Sequence, residues 1–301
     1  MPEHTASSTE LTGVCQRLAT HYTALAKRES ARGAVGYARL DKERGQCLQL
    51  LESCLSNGLW QEVKSLTGAV DIYLNRQGWW TDRLTALEMW LTAARQANDR
   101  QNEALCLNNI GYTCERLGER ENALARYEQC LPITRELSDR QREGSTLNNI
   151  AAIYRQQGKY ELALERYQQS LTIRQEVGDR QGEGATLNNL GFLYDAQGDD
   201  EQALTYYKKC LPIARDVGHK ILEGSTLNNI ATIYRAQGDL TKAVEYHKQA
   251  LAIAREIGDR AGEVTRCWNI GFIYEQQGDL AKAEKYISQS VQIANSIGHP
   301  K

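Results

Sequence analysis

The chain has 301 residues, of which 41% are hydrophobic and 25% are charged. Lys and Arg total 36 against 38 Asp and Glu, so the sequence lacks the basic excess of a dedicated nucleic-acid or anionic-membrane binder. No apolar run approaches the roughly 18 residues that a membrane span requires, so we expect neither a nucleic acid nor a membrane as partner. Only four prolines occur, and a chain with so few is expected to be mostly helical.

The cysteines indicate the compartment. There are eight of them, but they form no CxxC pair and no cluster with histidine at the spacing of metal ligands. We expect them to act as small apolar packing residues in a reducing cytoplasm. The polar start of the chain, MPEHTASSTE, is unlike a secretory signal. The sequence therefore predicts a cytoplasmic protein with no metal and no cofactor.

The first elements in chain order are two predicted helices. One is expected from about Glu10 to Lys27 and the next from about Tyr37 to Ser56, with a loop from Ala31 to Gly36 between them. Residues 1–60 are therefore predicted to form a helical N-terminal cap.

Residues 61–100 are interpreted as a degenerate repeat. Gly78 lies 40 residues before Gly118, which belongs to a regular array, but the paired asparagines of that array are absent here. Four tryptophans, which we expect in the core of the cap rather than in a ligand site, lie nearby at Trp60, Trp79, Trp80 and Trp90.

From residue 101 to residue 300 the sequence repeats every 40 residues without an insertion or deletion. Five units in register predict a repeat architecture. The recurring positions include an asparagine (Asn109, Asn149, Asn189, Asn229, Asn269) and a glycine (Gly118, Gly158, Gly198, Gly238, Gly278).

Each unit is predicted to contain two helices. In the third unit, Asp179 can cap the first helix and Gly198 can end it in a left-handed conformation. Asp199 can then cap the second helix. Neither helix can bury its apolar stripe alone, so neighbouring units must stack on each other.

A second period of 80 residues lies within the array. Units that start at 101, 181 and 261 read Gly-Tyr or Gly-Phe before an acidic residue, whereas those at 141 and 221 carry alanine and arginine at the matching positions. Pro132 and Pro212 recur at the same spacing inside predicted second helices, where each is expected to kink the helix. The working unit is predicted to be a pair of repeats.

The pattern L-N-N-I/L-G/A-x-x-Y-x-x-x-G-x-x-x-x-A-L-x-x-Y resembles the tetratricopeptide repeat, in the 40-residue form of kinesin light chains. This resemblance implies an all-α protein: a right-handed α-α superhelical solenoid with a helical N-terminal cap and five repeats. The segment that precedes the repeats, with LDKE and GLW, is similar to the helical lead-in of STAND-type signalling ATPases. In that family the repeats form a sensor arm behind a nucleotide-binding switch.

No catalytic motif is present. The sequence contains no GxxxxGK[ST], GxGxxG, HExxH or GxSxG, and its five histidines are scattered. Cys130 and Cys210 share a repeat position with Ser170 and Ala250, which marks a small-residue packing site. We therefore predict that the protein is not an enzyme, and an enzyme with an undetected cysteine-based site is the alternative.

The first helix of each repeat carries the candidate binding face. In tetratricopeptide folds the side of this helix opposite the core lines a concave groove, and the resemblance to kinesin light chains implies that asparagines there bind the backbone of an extended peptide. The alternative is that they bond to each other or cap neighbouring helices. The candidate asparagines are Asn109, Asn149, Asn189, Asn229 and Asn269, with their neighbours Asn148, Asn188 and Asn228.

Aromatic and charged residues fall on the same face. Tyr112, Phe192 and Phe272 share one position, where they would form either a pocket wall for a partner or a contact between first helices. One position further round, charges alternate in sign. We expect them to form salt bridges between units, or else to read a partner of mixed charge; they are Glu115, Arg155, Asp195, Arg235 and Glu275.

These features predict a non-catalytic scaffold that holds a protein or peptide segment in its groove. Alternatively, the chain is a sensor or regulatory arm of a STAND-type ATPase or a caspase-like effector system. The last predicted helix, from 280 to 297, presents an apolar stripe without a further helix to cover it. End-to-end self-association through this uncapped C-terminal helix is therefore also expected.

Overall fold

A computed structural model describes residues 8–298, with side chains from Glu10 onward. The predicted polar start of the chain and its last three residues, which include His299, lie outside the described residues. The described part consists of helices and turns and contains no strand. None of its helices is both long and apolar enough to cross a membrane. The predicted all-α solenoid is confirmed.

Fourteen helices are described between residues 8 and 298, and from residue 100 they begin at intervals of 20 residues. They are α1 (Ser8–Ser30), α2 (Ala34–Ser56), α3 (Trp60–Gln77), α4 (Trp80–Gln96), α5 (Arg100–Leu117), α6 (Arg120–Glu136), α7 (Arg140–Gln156), α8 (Tyr160–Glu176), α9 (Arg180–Ala196), α10 (Asp200–Asp216), α11 (Lys220–Ala236), α12 (Leu240–Glu256), α13 (Arg260–Gln276) and α14 (Leu280–Ser296). The odd-numbered helices from α5 to α13 are the first helices of the repeats.

The chain divides into two compact units, Met1–Ile153 and Tyr154–Lys301, which we call unit 1 and unit 2. In unit 1, α1 packs on α2 and α3, and consecutive helices pack together from α2 to α6. The fully buried side chains there include Leu66, Tyr73 and Tyr127.

In unit 2 each helix from α8 to α14 packs against the next. The core lies between the helices of each hairpin and continues into the following one. Ile230 and Ile270 are completely buried in it, as are Tyr207 and Leu190. In each hairpin a stacked pair of tyrosines joins the first helix to the second. The ring centroids are 5.3 Å apart for Tyr194 and Tyr206, 5.6 Å for Tyr234 and Tyr246, and 5.8 Å for Tyr274 and Tyr286.

The helix ends follow from short-range chemistry. Asp179 accepts a hydrogen bond from the backbone N–H of Gly182 at 2.9 Å, and Asp199 accepts one from Gln202 at 3.0 Å. Gly198 follows α9 with a φ of 77°. The two predicted caps and the predicted left-handed glycine are confirmed.

The loop predicted from Ala31 to Gly36 is shorter than expected. α1 continues to Ser30 and α2 starts at Ala34, so Gly36 lies inside a helix. A Cβ atom added at Gly36 would overlap the backbone carbonyl of Glu29. The glycine is there because the two helices approach closely, and this reason cannot be read from its sequence neighbourhood.

Candidate functional site

In two repeats the first asparagine of the pair contacts the neighbouring repeat. Thr226 Oγ1 donates to Asn188 Oδ1 at 3.1 Å, and Thr146 Oγ1 donates to Asn108 Oδ1 at 3.4 Å. Asn188 is buried. Its amide oxygen therefore joins α9 to α11 and is engaged within the fold.

Asn228 lacks this threonine contact because Arg266 stands at the position of Thr226. Its Oδ1 atom is buried and has no hydrogen-bond partner among the described residues. The Asn–Thr contact between first helices therefore ends before α13.

The second asparagine of each pair is half-buried on the first helix at all five positions: Asn109, Asn149, Asn189, Asn229 and Asn269. Two of these amides lie against a tyrosine of the preceding repeat. Burial raises the pKa of the Tyr127 and Tyr207 hydroxyls, and the amides of Asn149 and Asn229 partly offset this rise. The amide groups of Asn149 and Asn229 are therefore oriented toward the core.

The three aromatic residues at the shared position are alike in exposure. Tyr112, Phe192 and Phe272 are each 39% exposed. In unit 2, the Phe192 ring meets the buried ring of Tyr207 edge-on, with centroids 6.4 Å apart. One edge of the phenylalanine thus packs against the core, and the exposed part of the ring can be reached by another molecule.

The salt bridges that were expected between neighbouring repeats do not form in the part of unit 2 that the structure describes. No carboxylate lies within 4.0 Å of Arg155 or Arg235 there. Instead, the Arg155 guanidinium lies 5.4 Å from the centroid of the Phe192 ring, and that of Arg235 lies 5.8 Å from the Phe272 ring. The prediction was wrong because these side chains turn toward the aromatic residue of the next first helix.

The environment of Asp195 agrees with this arrangement. Its burial raises the pKa of the carboxyl, and the negative charge of Asp200 raises it further. A guanidinium in contact would lower that pKa. Asp195 therefore does not neutralise Arg155.

Unit 1 uses its aromatic position differently. Arg83 lies 5.6 Å from the Tyr112 ring centroid, but its guanidinium is buried and pairs with Asp71 at 2.7 Å. Glu115 accepts a hydrogen bond from the Tyr127 hydroxyl at 2.8 Å. The charges around Tyr112 are thus satisfied within the fold.

Sequence reasoning did not identify the buried glutamate at the start of each first helix. Arginines at the ends of second helices donate to these glutamates from eight residues earlier in the chain. The recurrence of both residue types at 40-residue intervals was the available signal. The N–O distances are 2.9 Å for Arg95–Glu103, 2.8 Å for Arg135–Glu143, 2.9 Å for Arg215–Glu223 and 3.6 Å for Arg255–Glu263.

The tryptophan cluster is only partly a core. Trp90 is buried, as expected. Trp79 is 38% exposed, and the guanidinium of Arg44 stacks 3.5 Å above it. Its indole N–H donates to Asp41 at 3.0 Å. The prediction was wrong for Trp79, which packs between charged side chains at the surface.

The thiols and metal-ligand side chains show no catalytic arrangement in residues 10–298. Seven of the eight cysteines are buried, and Cys15 is half-buried. Burial raises the pKa of Cys47 and Cys114 to about 11. A buried thiol with a raised pKa is a poor nucleophile. No group of three or more His, Cys, Asp or Glu side chains in this range could hold a metal ion.

Comparison with sequence families gave matches over more than half of the chain. Two family models, both described as tetratricopeptide repeat, match residues 142–216 and 222–296 in one case and residues 106–141 in the other. A comparison with curated protein sequences gave no match.

Several solved structures are similar in fold. BtubC (BKLC) from P. vanneervenii is 22% identical, with a TM-score of 0.65 over 74% of this chain and 94% of that one. A signal transduction ATPase with numerous domains (STAND) and a tetratricopeptide repeat sensor, from Pyrococcus horikoshii, is 20% identical with a TM-score of 0.69; the match covers 95% of this chain and 42% of the ATPase. A Rap protein in complex with competence and sporulation factor is 12% identical with a TM-score of 0.64, over 95% of this chain and 99% of that one. At these identities the likeness establishes the fold.

Proposed function

Because the chain belongs to the tetratricopeptide repeat family, we propose that it is a non-catalytic scaffold that holds an extended segment of a partner protein on its first helices. In unit 2 we call this surface the first-helix face and define it by Arg155, Asn189, Phe192, Asn229, Arg235, Asn269 and Phe272.

One observation carries the proposal. Phe192 and Phe272, the chain's two phenylalanines, are both 39% exposed at the same position of alternate repeats. A large aromatic side chain that stays in water loses the free energy that burial would supply, about 25 cal/mol per Å². Exposed aromatic rings set among amide side chains are typical of surfaces that become buried by a partner.

The asparagines supply the polar part of the proposed site. Asn189, Asn229 and Asn269 lie on α9, α11 and α13, and two of these helices, α9 and α13, also carry the phenylalanines. An amide offers both a donor and an acceptor, which matches the backbone groups of an extended segment. We assign the equivalent residues of unit 1, Asn109, Asn149 and Tyr112, to a similar surface on that unit.

The thiol chemistry supports a non-catalytic role. An enzyme with a cysteine nucleophile needs a thiolate that solvent and substrate can reach. In this chain the raised pKa values of the buried thiols favour the neutral thiol. Eight unpaired cysteines also support a reducing cytoplasm as the setting.

A sensor arm within a signalling ATPase is the second candidate. It is supported by the similarity of 95% of this chain to a part of the STAND protein, which has a tetratricopeptide repeat sensor. Both candidates require a partner on the repeats, and they differ in whether a nucleotide-binding protein acts with this chain.

The experiment begins with capture of partners by the full chain from native lysate and mapping of the bound segment. Its affinity is then measured by calorimetry for Phe192→Ala, Phe272→Ala and the triple change of Asn189, Asn229 and Asn269 to Ala. Each phenylalanine change should weaken binding by about tenfold or more, and the triple change should abolish it.

Leu162→Ala is the matched control, because Leu162 is an exposed apolar residue (42%) on a second helix. It should leave the affinity unchanged. Binding that survives all the changes on the first-helix face, with helical content intact, would show that the partner binds elsewhere.

A further inference from the structure

Two arginines on the first-helix face have no acidic partner among the described residues, and this sets them apart from the other arginines of unit 2. Arg215 and Arg255 each pair with a buried glutamate, and Arg180 pairs with Glu183 at 2.6 Å. Arg155 and Arg235 have no carboxylate within 4.0 Å among the described residues. The Nε atom of Arg155 is buried and has no hydrogen-bond partner there.

Both guanidinium groups are held in place although they are unpaired. Each lies over a phenylalanine, at 5.4 Å from Phe192 and at 5.8 Å from Phe272. The contact covers one face of the planar group, and the two terminal nitrogens of the guanidinium can still donate two parallel hydrogen bonds. A carboxylate has the planar geometry that accepts such a pair of hydrogen bonds.

The remaining charges near these sites do not compete for the arginines. Asp195 is partly buried, and its pKa is raised by burial and by the charge of Asp200, with no lowering by Arg155. His247, which is close enough to Arg235 for that charge to lower its pKa, is completely buried and favours the neutral form. Each arginine therefore lies beside an exposed apolar ring without a carboxylate within 4.0 Å among the described residues.

We propose, building on the function proposed above, that the partner segment carries two carboxylate side chains about six residues apart, one bound by Arg155 and the other by Arg235. The segment would be an acidic peptide in extended form. Each carboxylate would meet a guanidinium, and apolar side chains nearby would cover Phe192 and Phe272.

The spacing follows from the order of the helices. The first site lies between α7 and α9, and the second between α11 and α13, so the two are two first-helix steps apart. Thr226 and Asn188 show that α9 and α11 are in contact. Helices in contact are about 8–10 Å apart, which gives about 16–20 Å between the sites.

An extended chain that follows the row of helices advances about 3.3 Å per residue, so this distance corresponds to five or six residues. Side chains of an extended segment alternate between its two faces. Only an even separation places both carboxylates toward the helices, and this selects six residues over five.

The test uses a displayed library of random peptides of about 12 residues, long enough to reach both arginines. Selection on the full chain should enrich Asp or Glu at positions i and i+6. Selection on the double variant Arg155→Gln/Arg235→Gln should lose this enrichment.

The matched control is Lys208→Gln/Lys209→Gln. These lysines also stack over tyrosine rings, at 5.6 Å from Tyr234 and 5.3 Å from Tyr206, but they lie on the second helix α10. The control removes the same amount of charge and should keep the i, i+6 enrichment.

A selected peptide is then synthesised in three forms: the original, one with a residue deleted between the two acids, and one with both acids changed to Gln. The original should bind at least about tenfold more tightly than the other two, and its advantage should shrink from about 0.05 to 0.3 M salt. Either single Arg→Gln variant should reduce the affinity for the original by a similar factor.

The outcomes separate this inference from the proposed function. Peptides that bind the first-helix face but carry no acid pair, and whose affinity does not change in the Arg→Gln variants, would overturn the inference and leave the scaffold in place. Failure to select any peptide that depends on Phe192 or Phe272 would overturn both. Acid pairs enriched equally on the double variant would show that the carboxylates bind other cations.

Discussion

His247 shows how one residue can depart from a repeat without changing its fold. It occupies the position of Tyr127, Tyr167 and Tyr207 in the other repeats and is completely buried. Neither of its ring nitrogens has a hydrogen-bond partner among the described residues. Burial, together with the positive charges of Arg235 and Arg266, lowers its pKa from 6.5 to about 4.

A pH dependence of stability follows from this histidine. Below pH 6.5 the unfolded chain takes up a proton that the folded chain accepts only near pH 4. The unfolded state therefore gains relative stability as the pH falls through this window, and the free energy of unfolding decreases by up to about 3 kcal/mol.

Urea unfolding of wild type and His247→Phe at pH 7 and pH 5 measures this effect. The wild type should lose more stability between these two values than the variant, because the other titrating groups are common to both. Equal losses would show that His247 does not titrate differently in the two states.

Gly198 allows a test of backbone conformation alone. Its φ is 77°, and a Cβ atom added there would meet nothing within 4 Å. Gly198→Val should therefore destabilise the protein by about 1–2 kcal/mol, because a β-branched residue is strained in the left-handed region. Gly198→Asn is the matched control and should cost much less, since asparagine tolerates this region. Thermal melts that show equal losses would point to a cause other than the backbone.

At the residue scale, the sequence indicated positions better than roles. The repeat period placed Phe192 and Phe272 at equivalent positions, and both rings are exposed to the same extent. It could not show that Asn188 is bonded to Thr226, because that contact joins residues 38 positions apart. It also could not show whether Arg155 turns toward an acid or toward a ring, since both lie within reach of a long side chain. Whether these residues bind a partner stays a prediction.

At the scale of the helix, most boundaries were predictable because local chemistry sets them. Asp179, Asp199 and Gly198 act through contacts with residues at most a few positions away. The turn between α1 and α2 was not predictable, since the close approach at Gly36 is a tertiary contact.

α11 has an unusual N-cap, and this gives a prediction at the element scale. His219 Nδ1 accepts a hydrogen bond from the backbone N–H of Leu222 at 3.1 Å, at a position where α9 and α13 use aspartate. His219→Asp should raise the free energy of unfolding by about 0.5–1 kcal/mol, because a carboxylate makes the same hydrogen bond and also interacts favourably with the helix dipole.

The reciprocal change Asp259→His is the control for α13. It should destabilise by a similar amount, as measured by urea unfolding at pH 8. Loss of stability in both variants would show that packing around each cap, rather than the cap itself, decides the outcome.

At the scale of the whole molecule, the 40-residue period predicted the hairpin array but not the division into two units. That division falls after Ile153, inside α7 and inside a repeat, where the pattern continues unchanged. The predicted boundaries at residues 60 and 100 stay predictions. The 80-residue period does have a structural counterpart, since Arg155 over Phe192 and Arg235 over Phe272 repeat at that interval.

The eight thiols give a prediction that tests the whole fold and the absence of a cysteine nucleophile together. Seven of them are buried and one, Cys15, is half-buried on α1. With a chromogenic disulfide at pH 7.5, the native protein should release one equivalent quickly, and that signal should disappear in Cys15→Ser. All eight should react once the chain is unfolded in guanidinium, because unfolding exposes the seven buried thiols and removes the burial that raises the pKa of those seven. A second thiol that reacts quickly in native Cys15→Ser would identify an activated cysteine within the fold. Since packing alone cannot make a buried thiol reactive, that result would favour the enzyme over the scaffold.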